Sequence, residues 1–125
     1  MSYVLDLPNL PTWTANDRGH WSQRAETVAW WRSLTAQAAR KAQLPTLGRV
    51  AVTLAMTPAD RRRRDPDGLA GALKPALDGL VDAGVIADDS WRQVASVTLR
   101  IDAPQPSRSE HGWRLFVVEV DADVA

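Results

Sequence analysis

Residues 61–67 read Arg-Arg-Arg-Arg-Asp-Pro-Asp, Lys74 comes next among the charged groups, and an Asp88-Asp89 pair follows. Hard cations such as Mg²⁺ prefer carboxylate oxygens and keep several of their waters, so two or three aspartates suffice to hold one. Asp65 and Asp67, either side of the fixed ring of Pro66, can aim two carboxylates from a loop at one centre, and Asp88 or Asp89 would complete the set. The chemistry such a set serves is phosphodiester hydrolysis. A bound metal polarises a phosphate oxygen, acidifies a water and shields the leaving oxygen. Lys74 would stabilise charge building on the phosphorus centre or orient the water. The planar forks of Arg61, Arg62, Arg63 and Arg64 suit neighbouring phosphates. Each piece alone has a plainer explanation: Asp-x-Asp caps helices, Asp-Asp makes turns, and arginine runs are solvated. Their coincidence is what points to a metal-dependent site.

These residues must be positioned by the elements around them. Tyr3 to Leu7 alternates as a short strand closed by Pro8 and Pro11. Residues 12–20 are turn-rich. Trp21 to Ala42 contains neither Gly nor Pro and predicts a helix, with Trp21, Ala25, Val28, Ala29, Ala36 and Ala39 on one stripe. Val50 to Met56 is a strand, and Pro58 to Asp65 a charged loop. A second helix is expected over residues 67–83. Leu69, Leu73, Ala76, Leu77 and Leu80 make its apolar side; Asp67, Gly71, Lys74, Asp78 and Asp82 make the other. Pro75 opposes the carbonyl of Gly71, which predicts a kink or a break. Gly84 is placed to end the helix. Val94 to Ile101 and Trp113 to Val120 read as two strands of a long hairpin around a loop tip at Ser107 to Gly112. The order β-α-β-α-β-β predicts an α+β domain over residues 1–125, a mixed sheet with two helices packed on it.

Formal net charge is zero, but its distribution is uneven. Residues 1–64 carry ten Lys/Arg against four Asp/Glu; residues 65–125 carry five against eleven. Such asymmetry is what a polyanion site beside a cation site would produce. The absence of cysteine excludes disulfides and thiolate metal sites. No apolar run reaches the ~20 residues that cross a bilayer, and no signal peptide is visible, so the expectation is a cytoplasmic protein without a membrane partner.

The stretch RRRRDPDGLAGALKPALDGLVDAGVIADD, from Arg61 to Asp89, resembles the core signature of RusA-like Holliday-junction resolvases. In that family, basic residues precede Asp-x-Asp-Asn-Leu, then come a lysine and a further aspartate in a helix, and an Asp-Asp pair beyond a glycine-ended helix. TANDRGHW, Thr14 to Trp21, is similar to the N-terminal loop of members from actinobacteria and their phages, which suggests a phage or prophage setting. The resemblance implies a homodimer that nicks a four-way DNA junction in recombination or repair, using Mg²⁺ or Mn²⁺. It puts Asp65 and Asp67 on the Asp-x-Asp ligands and Asp89 on the essential member of the pair, with Asp88 beside it. Two positions depart from the pattern: Gly68 replaces the asparagine, and Gly71 stands where the lysine is expected, leaving Lys74 one turn later to substitute.

Asn16, Arg18 and His20 are further candidates for DNA contact. Trp21, Trp30, Trp31, Trp91 and Trp113 are expected in the core or a dimer interface, with base stacking as the alternative. Three other functions compete with that of a junction nuclease. A catalytically impaired DNA-binding or dimerisation module would account for Gly68 and Gly71. An Asp-x-Asp phosphohydrolase or sugar-nucleotide transferase needs a larger parallel sheet than this chain can build. A phage structural protein leaves the arginine block and Asp88-Asp89 unexplained.

Overall fold

The structure, a computed structural model, describes residues 1–8, 10–11, 21–105 and 112–121, excluding the side chains of residues 21–23 and 121. Its elements are β1 (Ser2–Leu7), α1 (Trp21–Lys41), β2 (Arg49–Thr57), a 3₁₀ turn (Pro66–Leu69), α2 (Ala70–Asp82), β3 (Val94–Ile101) and β4 (Gly112–Asp121). The result is a small α+β domain with two helices and a four-stranded mixed sheet in the order β1-β4-β2-β3.

Strand alternation builds the core directly. Register aligns Leu5, Leu115, Leu54 and Leu99 in one rung across all four strands. A second rung holds Leu7, Trp113, Met56 and Ile101. Because side chains alternate faces along a strand, these rungs share one face, the one packed against Trp31, Ala76 and Leu80 of the helices. Trp31 and Trp113 meet edge to face at 4.7 Å. Their indole N–H groups donate to the carbonyls of Pro11 (2.7 Å) and Leu10 (2.9 Å), which ties the segment after β1 to the core.

The expected β3–β4 hairpin does not form. β3 pairs with β2 in parallel, and β4 pairs with the other edge of β2 and with β1, both antiparallel. The cause is α2: as a crossover it delivers β3 alongside β2, so the chain must step across two strand spacings, about 10 Å, before β4 can pair. β2 is thereby paired on both edges, as β4 is, and its small Ala51, Thr53 and Ala55 lie on the face away from the helices.

The α1 stripe is also displaced from its expected place. Ala36 and Ala39 are buried as expected, but with Trp31 and Thr35, whereas Ala25 and Ala29 are exposed. α1 packs chiefly on α2, whose reach sets where burial begins. Both helices close with the paired bonds of a Schellman motif. Gly84 (φ 77°) and Val85 donate to Val81 and Leu80 after α2; Gln43 (φ 57°) and Leu44 donate to Arg40 and Ala39 after α1. α2 runs unbroken through the buried Pro75. No helix among the described residues is long and apolar enough to cross a membrane.

The helices touch most closely at Gly79. A Cβ there would lie 2.6 Å from the Arg32 carbonyl oxygen and 2.8 Å from the Thr35 Cβ. Gly79→Ala is therefore expected to lose about 1–2 kcal/mol, because overpacking against backbone outweighs the ~1 kcal/mol gain in helix propensity. A raised urea midpoint would show that the helices separate freely. Beside it, the Thr35 hydroxyl is fully buried with no hydrogen-bond partner among the described residues. Thr35→Val keeps the shape and removes the orphan group, so thermal unfolding should show a gain of about 1 kcal/mol.

Candidate active site

Pro66 opens the 3₁₀ turn, its fixed φ suiting the first helical position. Asp65 thus stands at the N-cap in extended backbone (φ −108°, ψ 135°), where an aspartate would ordinarily cap the helix. It makes no capping hydrogen bond. Its carboxylate is 64% exposed, and its one partner among the described residues is Arg63, at 3.7 Å. Asp67, in the same turn, is exposed, and no side-chain hydrogen bond or ion pair of its carboxylate is found among the described residues. Neither carboxylate serves the helix cap that its position would suggest.

Asp88 and Asp89 divide the two roles open to such a pair. Asp88 accepts from the Ser90 backbone N–H (2.8 Å) and hydroxyl (2.6 Å), closing a tight turn. Those two donors hold its carboxyl below the usual carboxylate range. Asp89 turns away toward α2, where it accepts from the Lys74 ammonium. The same ammonium donates to Asp78, one turn along the helix, at 2.8 Å. The hydrogen bonds to Asp78 and Asp89 raise the Lys74 pKa and keep it charged. Of the acidic residues expected on its face, Lys74 meets Asp78, whereas Asp82 pairs with Arg32 of α1 and Asp67 lies in the 3₁₀ turn before α2. Asp78 is the partner that sequence reasoning placed on that face without assigning it a role; the signal was the i,i+4 spacing from Lys74.

The loop that brings Asp89 back is anchored along its length. Leu47 N–H donates to the Val85 carbonyl (2.8 Å), the Thr46 hydroxyl to the Gly84 carbonyl (2.8 Å), and Ala87 N–H to the Gln93 side chain (3.0 Å). Asp67 lies seven residues before Lys74, and the rise of the 3₁₀ turn (~2.0 Å per residue) followed by α-helix (~1.5 Å per residue) separates their backbones by about 12 Å. Among the described residues no group of three or more His, Asp or Glu side chains is close enough to hold a metal ion. Mg²⁺ is commonly held by one or two carboxylates with substrate phosphates supplying further oxygens, so the exposed, all-oxygen pair Asp65 and Asp67 fits such a cation.

The arginine block is braced from within by Asp60, a second residue the sequence reading passed over. Asp60 accepts from Arg62 N–H (3.0 Å) and pairs with Arg64 at 2.9 Å; these contacts hold its carboxyl below the usual range. Arg64 is the most buried of the four, whereas Arg62 and Arg63 extend into solvent. Asn16, Arg18 and His20 lie outside the described residues. Of the tryptophans, Trp31 and Trp113 are core, but Trp30 and Trp91 are exposed rather than buried.

No protein-family model matches this chain, and no curated protein matches it in sequence.

Proposed function

We propose that this protein is a metal-dependent endonuclease of the RusA-like type, acting as a homodimer that nicks four-way DNA junctions. The observation that supports the reading best is the state of the Asp-x-Asp pair. Asp65 occupies a cap position without capping, and the Asp67 carboxylate is given no structural partner among the described residues. Asp89 reaches Lys74 on α2. Asp65 and Asp67 would hold Mg²⁺ or Mn²⁺, which when bound acidifies a water and offsets charge on the scissile phosphate; Asp89, the third ligand that the family resemblance implies, would join them only on leaving Lys74. Asp78 keeps the Lys74 ammonium on this face, where it can meet a phosphate oxygen. Arg61 and Arg63 project beyond the Asp60 brace and would engage the flanking backbone.

The test is incubation of the pure protein with a labelled four-way junction and a matched linear duplex, in Mg²⁺ and in EDTA. Metal-dependent, symmetric nicking of the junction alone is the expected result; no cutting of either DNA in Mg²⁺ or Mn²⁺ overturns the reading. A second reading, a module that binds branched DNA without cutting it, is favoured by one observation. The Lys74 ammonium already neutralises Asp78 and Asp89 and competes there with any cation. Binding without cutting would support it.

The arginines make a separable prediction. Arg61→Ala and Arg63→Ala should each lower the slope of log affinity against log salt by about 1, as expected for one lost phosphate contact. Arg64→Ala should change it less, since Arg64 already pairs with Asp60. Unchanged slopes for Arg61 and Arg63 would remove their phosphate role.

A further inference from the structure

Trp91 is 64% exposed, two residues beyond Asp89, on a turn whose backbone is secured on both sides. Gln93 N–H and Val94 N–H both donate to the Ser90 carbonyl (3.0 and 2.8 Å), and Val50 N–H donates to the Gln93 carbonyl (2.8 Å). Arg49 of β2 donates from Nε to the carbonyl of Trp91 itself at 3.2 Å. The ring therefore projects from a fixed base. The Arg92 guanidinium lies 5.7 Å from its centroid. No hydrogen bond from the indole N–H is found among the described residues.

Leaving this ring in water forgoes a large gain, since burying a tryptophan removes roughly 150–250 Å² from solvent. A protein interface is a poor explanation. Stable ones bury about 800 Å² per partner around an apolar centre, whereas the neighbours here are Asp88, Asp89, Ser90 and Arg92. An exposed aromatic ring with an arginine beside it is instead an arrangement that takes a nucleobase, the ring stacking and the cation meeting an adjoining phosphate. Paired bases inside a duplex offer no free face, but bases at a branch point can unstack.

We infer that Trp91 is a stacking platform for an unpaired nucleobase of branched DNA, beside the site at Asp89. This rests on the nuclease reading above for its ligand. It assigns Trp91 the discrimination between branched and linear DNA, with Arg92 meeting a flanking phosphate.

The test measures binding in EDTA, so that no cutting intervenes, of a four-way junction and a matched duplex carrying 2-aminopurine at the branch position. Trp91→Ala should weaken junction binding about tenfold or more and leave linear-duplex binding within twofold, in line with the loss of one stacked base. Trp91→Phe, which keeps an aromatic face, should recover most of the difference. The 2-aminopurine signal of the bound junction should differ between the wild-type protein and Trp91→Ala. Equal junction affinity for the wild type and Trp91→Ala overturns the inference while leaving the nuclease reading intact. A lower mass for Trp91→Ala in sedimentation overturns it in favour of a contact between copies of the chain. Failure of the wild-type protein to bind either DNA overturns the nuclease reading itself.

Discussion

Asp67→Asn is expected to slow junction cutting by about a thousandfold while leaving junction binding in EDTA within a few-fold of wild type. The amide has nearly the same shape but carries no charge, so it cannot neutralise a divalent cation. Metal stabilisation of a phosphate transition state is worth several kcal/mol, and each 1.4 kcal/mol is about tenfold in rate. Stability should barely change. The Asp67 carboxylate makes no ion pair among the described residues and gains only the modest attraction of the helix N-terminus, about 0.3–1 kcal/mol. Asp65→Asn should behave alike, since its one contact is the loose pair with exposed Arg63. Asp82→Asn is the control: Asp82 is engaged by Arg32 through two hydrogen bonds (2.6 and 2.8 Å) and should leave cutting unaffected. The readouts are single-turnover cleavage and a gel-shift affinity for each variant. Cleavage at the wild-type rate in Asp65→Asn or Asp67→Asn would sink the assignment of these residues to the metal.

Trp31→Ala should cost about 3–5 kcal/mol, the range for emptying a buried aromatic position. Trp31 has no exposed surface, stacks edge to face on Trp113, and donates its indole N–H to the Pro11 carbonyl. Its removal leaves a cavity where both helices meet the sheet and strips the Pro11 carbonyl of its donor. Domains of this size have about 5–15 kcal/mol of total stability, so the variant would lose a large share of it. Trp31→Phe keeps most of the volume and loses the hydrogen bond, and should cost about 1–2 kcal/mol. Urea unfolding midpoints at constant slope report both changes. A cost under ~1 kcal/mol for Trp31→Ala would mean that the core closes over the gap.

The two predictions draw on features that differed in how readable they were. The acidic residues were legible from their types and spacing alone, because carboxylates flanking a proline and a glycine-ended helix with one polar side are local patterns. The same holds for the apolar side of α2: Ala76, Leu77 and Leu80 are buried and Leu73 partly so, with Leu69 buried in the 3₁₀ turn before it. Trp31 was harder to place. A wheel drawn through alanines ran the buried stripe of α1 through Ala25 and Ala29 to Ala36 and Ala39, whereas the crossing at Gly79 buries Trp31 and Thr35 with Ala36 and Ala39 and leaves Ala25 and Ala29 exposed.

What the sequence determined by itself was therefore the set of strands and helices, the apolar side of α2, and which charged residues stand as candidates for a phosphate site. Hydrogen-bond periodicity, proline and glycine geometry, and side-chain chemistry act within a few residues, so they can be read along the chain. Only the tertiary structure decided that β2 lies between β3 and β4, and that Asp89 reaches back to Lys74. Each of those outcomes depends on which edge of β2 the crossover helix leaves open and on where the loop after α2 is tied down. Both are long-range pairings, and no local pattern encodes them.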